Sequence, residues 1–224
     1  MGKQTRYIIR DREQSAVAEA FRVLSTTLQE NQAENGAKTI LFTSVTNGES
    51  DSMAAVNTAA TLAYSGKKVI LVDCDMRHPV LHEIFQGNIF GVTNIIMQDK
   101  PVEEMLQNTE IGGLKILASG SVPVGPVELL SNPRLREMLG VLKTMADYVC
   151  IVSAPLIIRS SSILSDACIV ASKVDGVVLV IDSRSVKTKT AKKAVELLNG
   201  ARAKIVGTVL NDVKADEEFI YFAS

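Results

Sequence analysis

Five residues, Gly48-Glu49-Ser50-Asp51-Ser52, separate a β-rich run, TILFTS (39–44), from a run of small residues with helical character. A glycine turn between a strand and a helix is a setting in which backbone N–H groups and the helix N-terminus hold phosphate. In a working loop of that kind a Lys reaches the β and γ oxygens, and the next Ser or Thr hydroxyl binds Mg²⁺. Here Gly48 can make the turn and Ser52 keeps the hydroxyl. Ser50 stands where a second glycine lets the backbone close on the phosphates, and Asp51 stands in the Lys position. That exchange changes the local charge by two units beside a polyanion. At ~4 Å and an effective dielectric of about 20, one unit pair amounts to about 4 kcal/mol. Screening reduces it, yet several kcal/mol still correspond to roughly a thousandfold in affinity. Taken alone, the stretch also reads as a polar turn with Glu49 and Asp51 favourably placed at a helix start.

A second group of chemical residues lies in VILVDCDMRHP (69–79), where Asp73 and Asp75 are two apart and share one side of an extended chain. Carboxylates at the C-terminal edge of a parallel sheet face the crevice where such folds bind ligands. There they can hold Mg²⁺ or accept a proton from a hydroxyl nucleophile; the structural alternative is a capping pair for a helix starting near Pro79. Another buried strand, DYVCIVSAP (147–155), ends in Ser153, where a phosphate-loop enzyme carries a metal-binding Asp. His78 and His82 are spaced i, i+4 without an evident third ligand, which argues against zinc. The basic run from Arg184 to Lys193 reads most simply as a solvated helix start, with a docking surface for an acidic tail as the minor alternative.

These residues need a sheet to position them. Strand candidates are 39–44, 68–73, 114–119, 148–153, 176–182 and 204–211, near-continuous in Val, Ile and Leu as expected for parallel strands covered on both faces. Helical runs fall between them at 52–65, 126–146 with a break near Pro133, 160–172 and 187–200. Residues 15–32 form a further amphipathic helix outside the sheet, and 87–112 is irregular with short helices. This alternation predicts a doubly wound α/β sheet, mainly parallel, in three α/β/α layers. With 224 residues, 46% apolar, and no linker or second core, the whole of 1–224 reads as one domain. Net charge −1 gives no electrostatic case for nucleic acid. Cys74, Cys150 and Cys168 read as reduced core residues, no run is long enough to span a membrane, and the expected location is cytoplasmic.

In this order the pieces resemble the bacterial tyrosine kinases (BY-kinases) of capsular and exopolysaccharide biosynthesis, relatives of the MinD- and ParA-type ATPases with deviant phosphate loops. The resemblance runs through SAVAEAFRVLSTTLQ, LFTSVTNGESDSMAAVNTAATLAYSGKKVILVDCDMRHPVLHEIF, GVTNIIMQDK, ILASGSVPVGPVELLSNPRLREML, DYVCIVSAPLIIRSSSILSDACIVASKVDGVVLVID and GTVLNDV. It implies an ATP or ADP site with Mg²⁺. Gly48, Glu49, Ser50, Asp51, Ser52 and Met53 would surround the phosphates. Ser52, Asp73 and Asp75 would bind the metal, the two carboxylates would also assist catalysis, and Asn211 would lie near the adenine. Glu19 and Arg22 match the start of an E-x-x-R-x-x-R assembly helix whose last Arg is Ser25 here. The family's run of acceptor tyrosines is reduced to Tyr221 in the acidic tail at 213–224.

The chain thus departs from the pattern at the Lys, the loop glycine, the metal Asp, the assembly Arg and the tyrosine run. The expectation is a regulatory pseudokinase that meets a membrane adaptor of the polysaccharide co-polymerase type or an active paralogue at the inner face of the membrane, and that forms homo-oligomers if the assembly helix works. The alternatives are an active autokinase using Lys67, Lys68 or Arg77 as a displaced cation, and a MinD-like positioning ATPase. Against the last, the chain ends in acidic DEEFIYFAS rather than a basic amphipathic helix.

Overall fold

The computed structural model describes residues 15–46, 50–157 and 166–213. Helix α1 (Ala16–Asn35) starts at Ser15, whose Oγ accepts the Ala18 N–H at 3.1 Å, and stops at Gly36, which takes the left-handed conformation (φ 68°) that side chains disfavour. Strand β1 (Thr39–Ser44) follows, then α2 (Ser50–Tyr64) and β2 (Val69–Cys74). Next come α3 (Leu81–Ile84), α4 (Val92–Gln98), α5 (Val102–Met105), β3 (Gln107–Asn108) and β4 (Leu114–Leu117). The chain continues through α6 (Pro126–Ser131), α7 (Pro133–Met145), β5 (Tyr148–Ser153), α8 (Asp166–Ala171), β6 (Gly176–Asp182), α9 (Thr188–Gly200) and β7 (Ile205–Asn211).

The strands form one sheet in the order β3-β4-β2-β5-β1-β6-β7, parallel except for the β3–β4 pair. Central β1 sits between β5 and β6, with Phe42 opposite Val152 on one side and Val178 on the other. Its side chains alternate between two apolar layers. Ile40 and Phe42 join Leu24, Leu28, Ala55 and Ala59 of α1 and α2, whereas Leu41 joins Ile151, Leu179, Leu135 and Leu198 on the opposite face. Burial on both faces explains the unbroken apolar runs, and truncating Phe42 to Ala is expected to cost about 3–5 kcal/mol.

The predicted elements appear with end shifts of up to three residues, the largest at α1, which runs to Asn35 rather than 32. The helical run at 126–146 breaks at Asn132, whose Oδ1 accepts the Arg134 N–H at 3.0 Å and restarts the chain as α7 with Pro133 in its first turn. One strand was not anticipated. The irregular stretch 87–112 contains β3, two polar residues on the sheet edge with no apolar pattern to reveal them. The first part of the helix expected at 160–172 lies outside the described residues, and α8 supplies the rest.

Candidate functional site

The C-terminal ends of β1, β2, β5 and β6 converge on one edge of the sheet. Past β1 the chain stays clamped between its neighbours. Val45 N–H donates to Val180 O at 3.1 Å, Leu156 N–H donates to Ser44 O at 2.9 Å, and Ile157 N–H donates to Val45 O at 3.1 Å. Thr43 Oγ1 adds a bond to Ala154 O at 3.1 Å. The loop residues Gly48 and Glu49 lie outside the described residues. Ser50 and Asp51 open α2, and Ser52 and Met53 follow as half-buried residues of its first turn. Small residues let α2 lie close on the sheet: Ala54, Ala55, Ala59 and Ala60 are all buried.

Asp73, at the end of β2, is fully buried. Its Oδ1 accepts the Asp75 N–H at 3.0 Å, while Oδ2 accepts the N–H groups of Val80 at 2.9 Å and Leu81 at 3.0 Å. Burial pushes its carboxyl up to about 7, against the pull of those three bonds and with the Asp75 charge adding to the rise. Asp75 is also buried, and its Oδ1 accepts the N–H groups of Arg77 at 3.0 Å and His78 at 2.9 Å. Both carboxylates therefore organise the turn that leads into α3, the arrangement of a capping pair. Oδ2 of Asp75 has no protein hydrogen-bond partner among the described residues, which makes it the carboxylate oxygen best placed to meet a cation.

Arg77 forks onto Asp166 at the start of α8, with Nε 2.6 Å from Oδ2 and Nη2 3.2 Å from Oδ1. The Asp166 side chain is 2% exposed and that of Arg77 40%. Sequence reasoning missed Asp166; a charge inside the apolar run ILSDACIVA was the available signal. Lys67 and Lys68 cannot replace the missing loop Lys. They enter β2 at the opposite edge of the sheet, where Lys68 N–H donates to Asp147 Oδ2 at 2.8 Å ahead of β5.

Ser153 closes β5 next to Cys74 of β2, fully buried, with Oγ donating to Ala154 O at 3.1 Å. Asn211 ends β7 opposite Asp182, exposed and two strands from β1, or roughly 10 Å at the usual strand spacing. Glu19 and Arg22 form an exposed ion pair at 2.8 Å on α1. Ser25, in place of the last assembly Arg, is turned inward and buried, and its Oγ has no hydrogen-bond partner among the described residues. Tyr221 lies outside the described residues. All three cysteines are buried thiols.

For Mg·ATP the donor set is incomplete. Mg²⁺ favours charged oxygen ligands, and here the Ser52 hydroxyl stands in the first turn of α2 and the Ser153 hydroxyl and Asp75 at the strand ends, with Asp73 engaged in the turn. Among the described residues no group of three or more His, Cys, Asp or Glu is placed to hold a metal ion. The fit is therefore partial: a hydroxyl and one carboxylate oxygen are present, and the second strand-end carboxylate and the loop cation are not.

An open, nearly all-parallel sheet whose central strand leads through a loop into a buried helix, with carboxylates at the end of a nearby strand, defines an α/β protein with the fold of the phosphate-loop class. No protein-family model matches the chain. It is 32% identical over 204 residues to the tyrosine-protein kinase CpsD of Streptococcus agalactiae, covering 90% of this chain and 86% of CpsD. It is 31% identical over 205 residues to the tyrosine-protein kinase YwqD of Bacillus subtilis (strain 168), covering 91% and 84%. Among solved structures, the BceF tyrosine kinase domain is similar with a TM-score of 0.84 at 29% identity, covering 95% of this chain and 85% of that one. The septum site-determining protein MinD of Pyrococcus horikoshii OT3, complexed with Mg-ADP, shares the fold at TM-score 0.64 and 21% identity over 80% of this chain and 72% of its own. The chain belongs to the bacterial tyrosine-protein kinase family.

Proposed function

We propose that this chain is a regulatory pseudokinase of capsule or exopolysaccharide assembly, a kinase-fold subunit with impaired ATP binding and catalysis. The observation that carries the proposal is the charge at the start of α2. Asp51 occupies the Lys position, and the cations considered as replacements are placed elsewhere: Lys67 and Lys68 at the far edge, Arg77 in its fork with Asp166. The uncharged end of β5 at Ser153 supports the same conclusion.

In this proposal the chain is one domain that works in the cytoplasm at the inner face of the membrane, held by a co-polymerase-type adaptor or an active paralogue. Any residual nucleotide site comprises Gly48, Glu49, Ser50, Asp51, Ser52 and Met53 at the phosphates and Asn211 toward the base. Ser52 and Asp75 are its metal contacts, and Asp73 orders the turn beneath them. Incubation with labelled ATP and Mg²⁺ tests the catalytic part. No phosphate is expected on Tyr221 or on an added peptide carrying several tyrosines, and incorporation on either overturns the proposal.

One observation favours an active autokinase instead. Arg77 lies two residues beyond Asp75 and is part-exposed, so release from Asp166 would free a cation at the correct edge. In that case phosphorylation is present and Arg77→Lys retains more of it than Arg77→Ala.

A further inference from the structure

The sheet ends differently at its two sides. At one, β3 is two residues long, too short to receive another strand. At the other, β7 runs seven residues with β6 as its one neighbour among the described residues. Ser183 N–H donates to Asn211 O at 2.9 Å, so Asn211, Val209 and Gly207 turn their backbone groups toward β6. Alternate residues of a parallel strand bond to opposite sides, which leaves the backbone groups of Thr208 and Leu210 facing outward. Edges of this length are commonly protected by a Pro or by a charge within the strand. β7 reads IVGTVLN and has neither. Its one irregularity is the extra residue Val206, where the register with Val177 and Val178 shifts, and it lies before Thr208.

The surfaces beside this edge are incompletely covered. On the α1 face, a Cβ built on Gly207 would stand 3.6 Å from Leu24 Cδ1. A turn earlier on α1 and two residues later on β7, Phe21 and Val209 are only half-buried. On the opposite face Leu210 is 43% exposed. Opposite charges flank the strand, Lys204 before it and Asp212 after it. Both are exposed, and neither takes part in an ion pair among the described residues. Asp212 is also held in place, since its carbonyl accepts Ser183 Oγ at 2.9 Å and Arg184 Nε at 3.0 Å.

This order of charges complements itself. When two copies pair β7 antiparallel about a twofold axis at Thr208, Lys204 of each stands opposite Asp212 of the other. Two Lys–Asp pairs then close the ends, the two Thr208 residues exchange both backbone bonds, and Leu210 is brought toward Val206. Moving the axis by one residue loses both charge pairs.

We propose that β7 is a self-association edge, on which a second copy of this chain adds its own β7 antiparallel and continues the sheet across a twofold axis. This goes beyond the pseudokinase proposal and does not rest on it, because the edge lies two strands from β1 and needs no nucleotide.

Sedimentation velocity of the full chain without nucleotide tests it. One ladder with two exposed charge pairs is a small interface, so the expected dimer is weak and reversible. Its mass should rise toward twice the monomer value as concentration approaches ~0.5 mM. Thr208→Pro removes an outward N–H and leaves the β6 ladder in place, so it is expected to abolish association with the circular dichroism unchanged. Lys204→Asp places like charges opposite each other at both ends and should weaken the dimer roughly tenfold. Adding Asp212→Lys should restore it, which a merely structural effect of either change would not do. A wild type that stays monomeric overturns the proposal, whether its edge remains open or takes a strand of another protein. A dimer that survives both Thr208→Pro and Lys204→Asp is held by another surface, α1 included, and also overturns it. Should Thr208→Pro unfold the chain, the charge reversal decides: rescue by Asp212→Lys supports the β7 pairing, and no rescue overturns it.

Discussion

Arg77 and Asp166, 89 residues apart in the chain, meet as a two-pronged charged pair with contacts of 2.6 and 3.2 Å, and this pair joins the turn after β2 to the start of α8. The carboxylate is buried while the guanidinium is part-exposed, so removing the cation alone strands a charge in the interior. Arg77→Ala is expected to destabilise by about 2–4 kcal/mol in urea unfolding, the lower end reflecting the exposure of the Arg. The double variant Arg77→Met, Asp166→Asn should be milder than Arg77→Ala, because no unpaired charge remains.

Asp73 gives the protein an unusual pH dependence. Its folded carboxyl is raised from 3.8 to about 7, so the fold prefers the protonated form. This contribution is full below about pH 4 and is lost as pH rises toward 7, since the unfolded chain has then released a proton that the folded one still holds. Urea unfolding between pH 4 and 7 should show a falling contribution with a slope approaching one proton, and Asp73→Asn should flatten that slope. Asn cannot satisfy all three N–H donors, so the variant should also be less stable at pH 4.

Asp175, at the opposite edge, acts with the other sign. Burial pushes its carboxyl up, but the N–H of Thr39, the Lys143 ammonium, the N–H of Lys38 and the Thr39 hydroxyl outweigh it and bring the value to about 2. Its stabilisation is present above about pH 4 and is lost as pH falls through 2. Allowing for solvent screening of this part-exposed group, Asp175→Asn should cost about 1–2 kcal/mol at pH 7 and progressively less as pH falls from about 4 through 2.

The inward turn of Ser25 bears on assembly. Its place in the packed surface of α1 leaves no room for a long cation, and Ser25→Arg is expected to lower stability by several kcal/mol. A fall in Tm without a gain in oligomer, measured by light scattering, supports the inward orientation. A stable, ring-forming variant contradicts it.

Much of this arrangement was legible in the residues themselves. Unbroken Val-Ile-Leu runs located the six parallel strands, most plainly β1, β2 and β5, which are buried along their whole length, and Pro133 marked the break between α6 and α7. Two polar residues paired only at an edge left β3 without a signal. Asp73 and Asp75 stood out at a strand end, yet their engagement by Val80, Leu81 and His78 needed the path of the following turn. Lys67 and Lys68 stood as displaced-cation alternatives in the sequence, and only the direction of β2 showed that they lie at the other edge. The partnership of Arg77 with Asp166 is a long-range contact that no local spacing encodes.

The charge at position 51 can be tested directly by calorimetric titration with Mg·ATP of the wild type beside Asp51→Lys. Converting repulsion into attraction at ~4 Å predicts no micromolar binding in the wild type and a gain of roughly a thousandfold in the variant. Micromolar affinity in the wild type, with Asp51→Lys making little difference, would contradict the account and mean that another group neutralises the triphosphate.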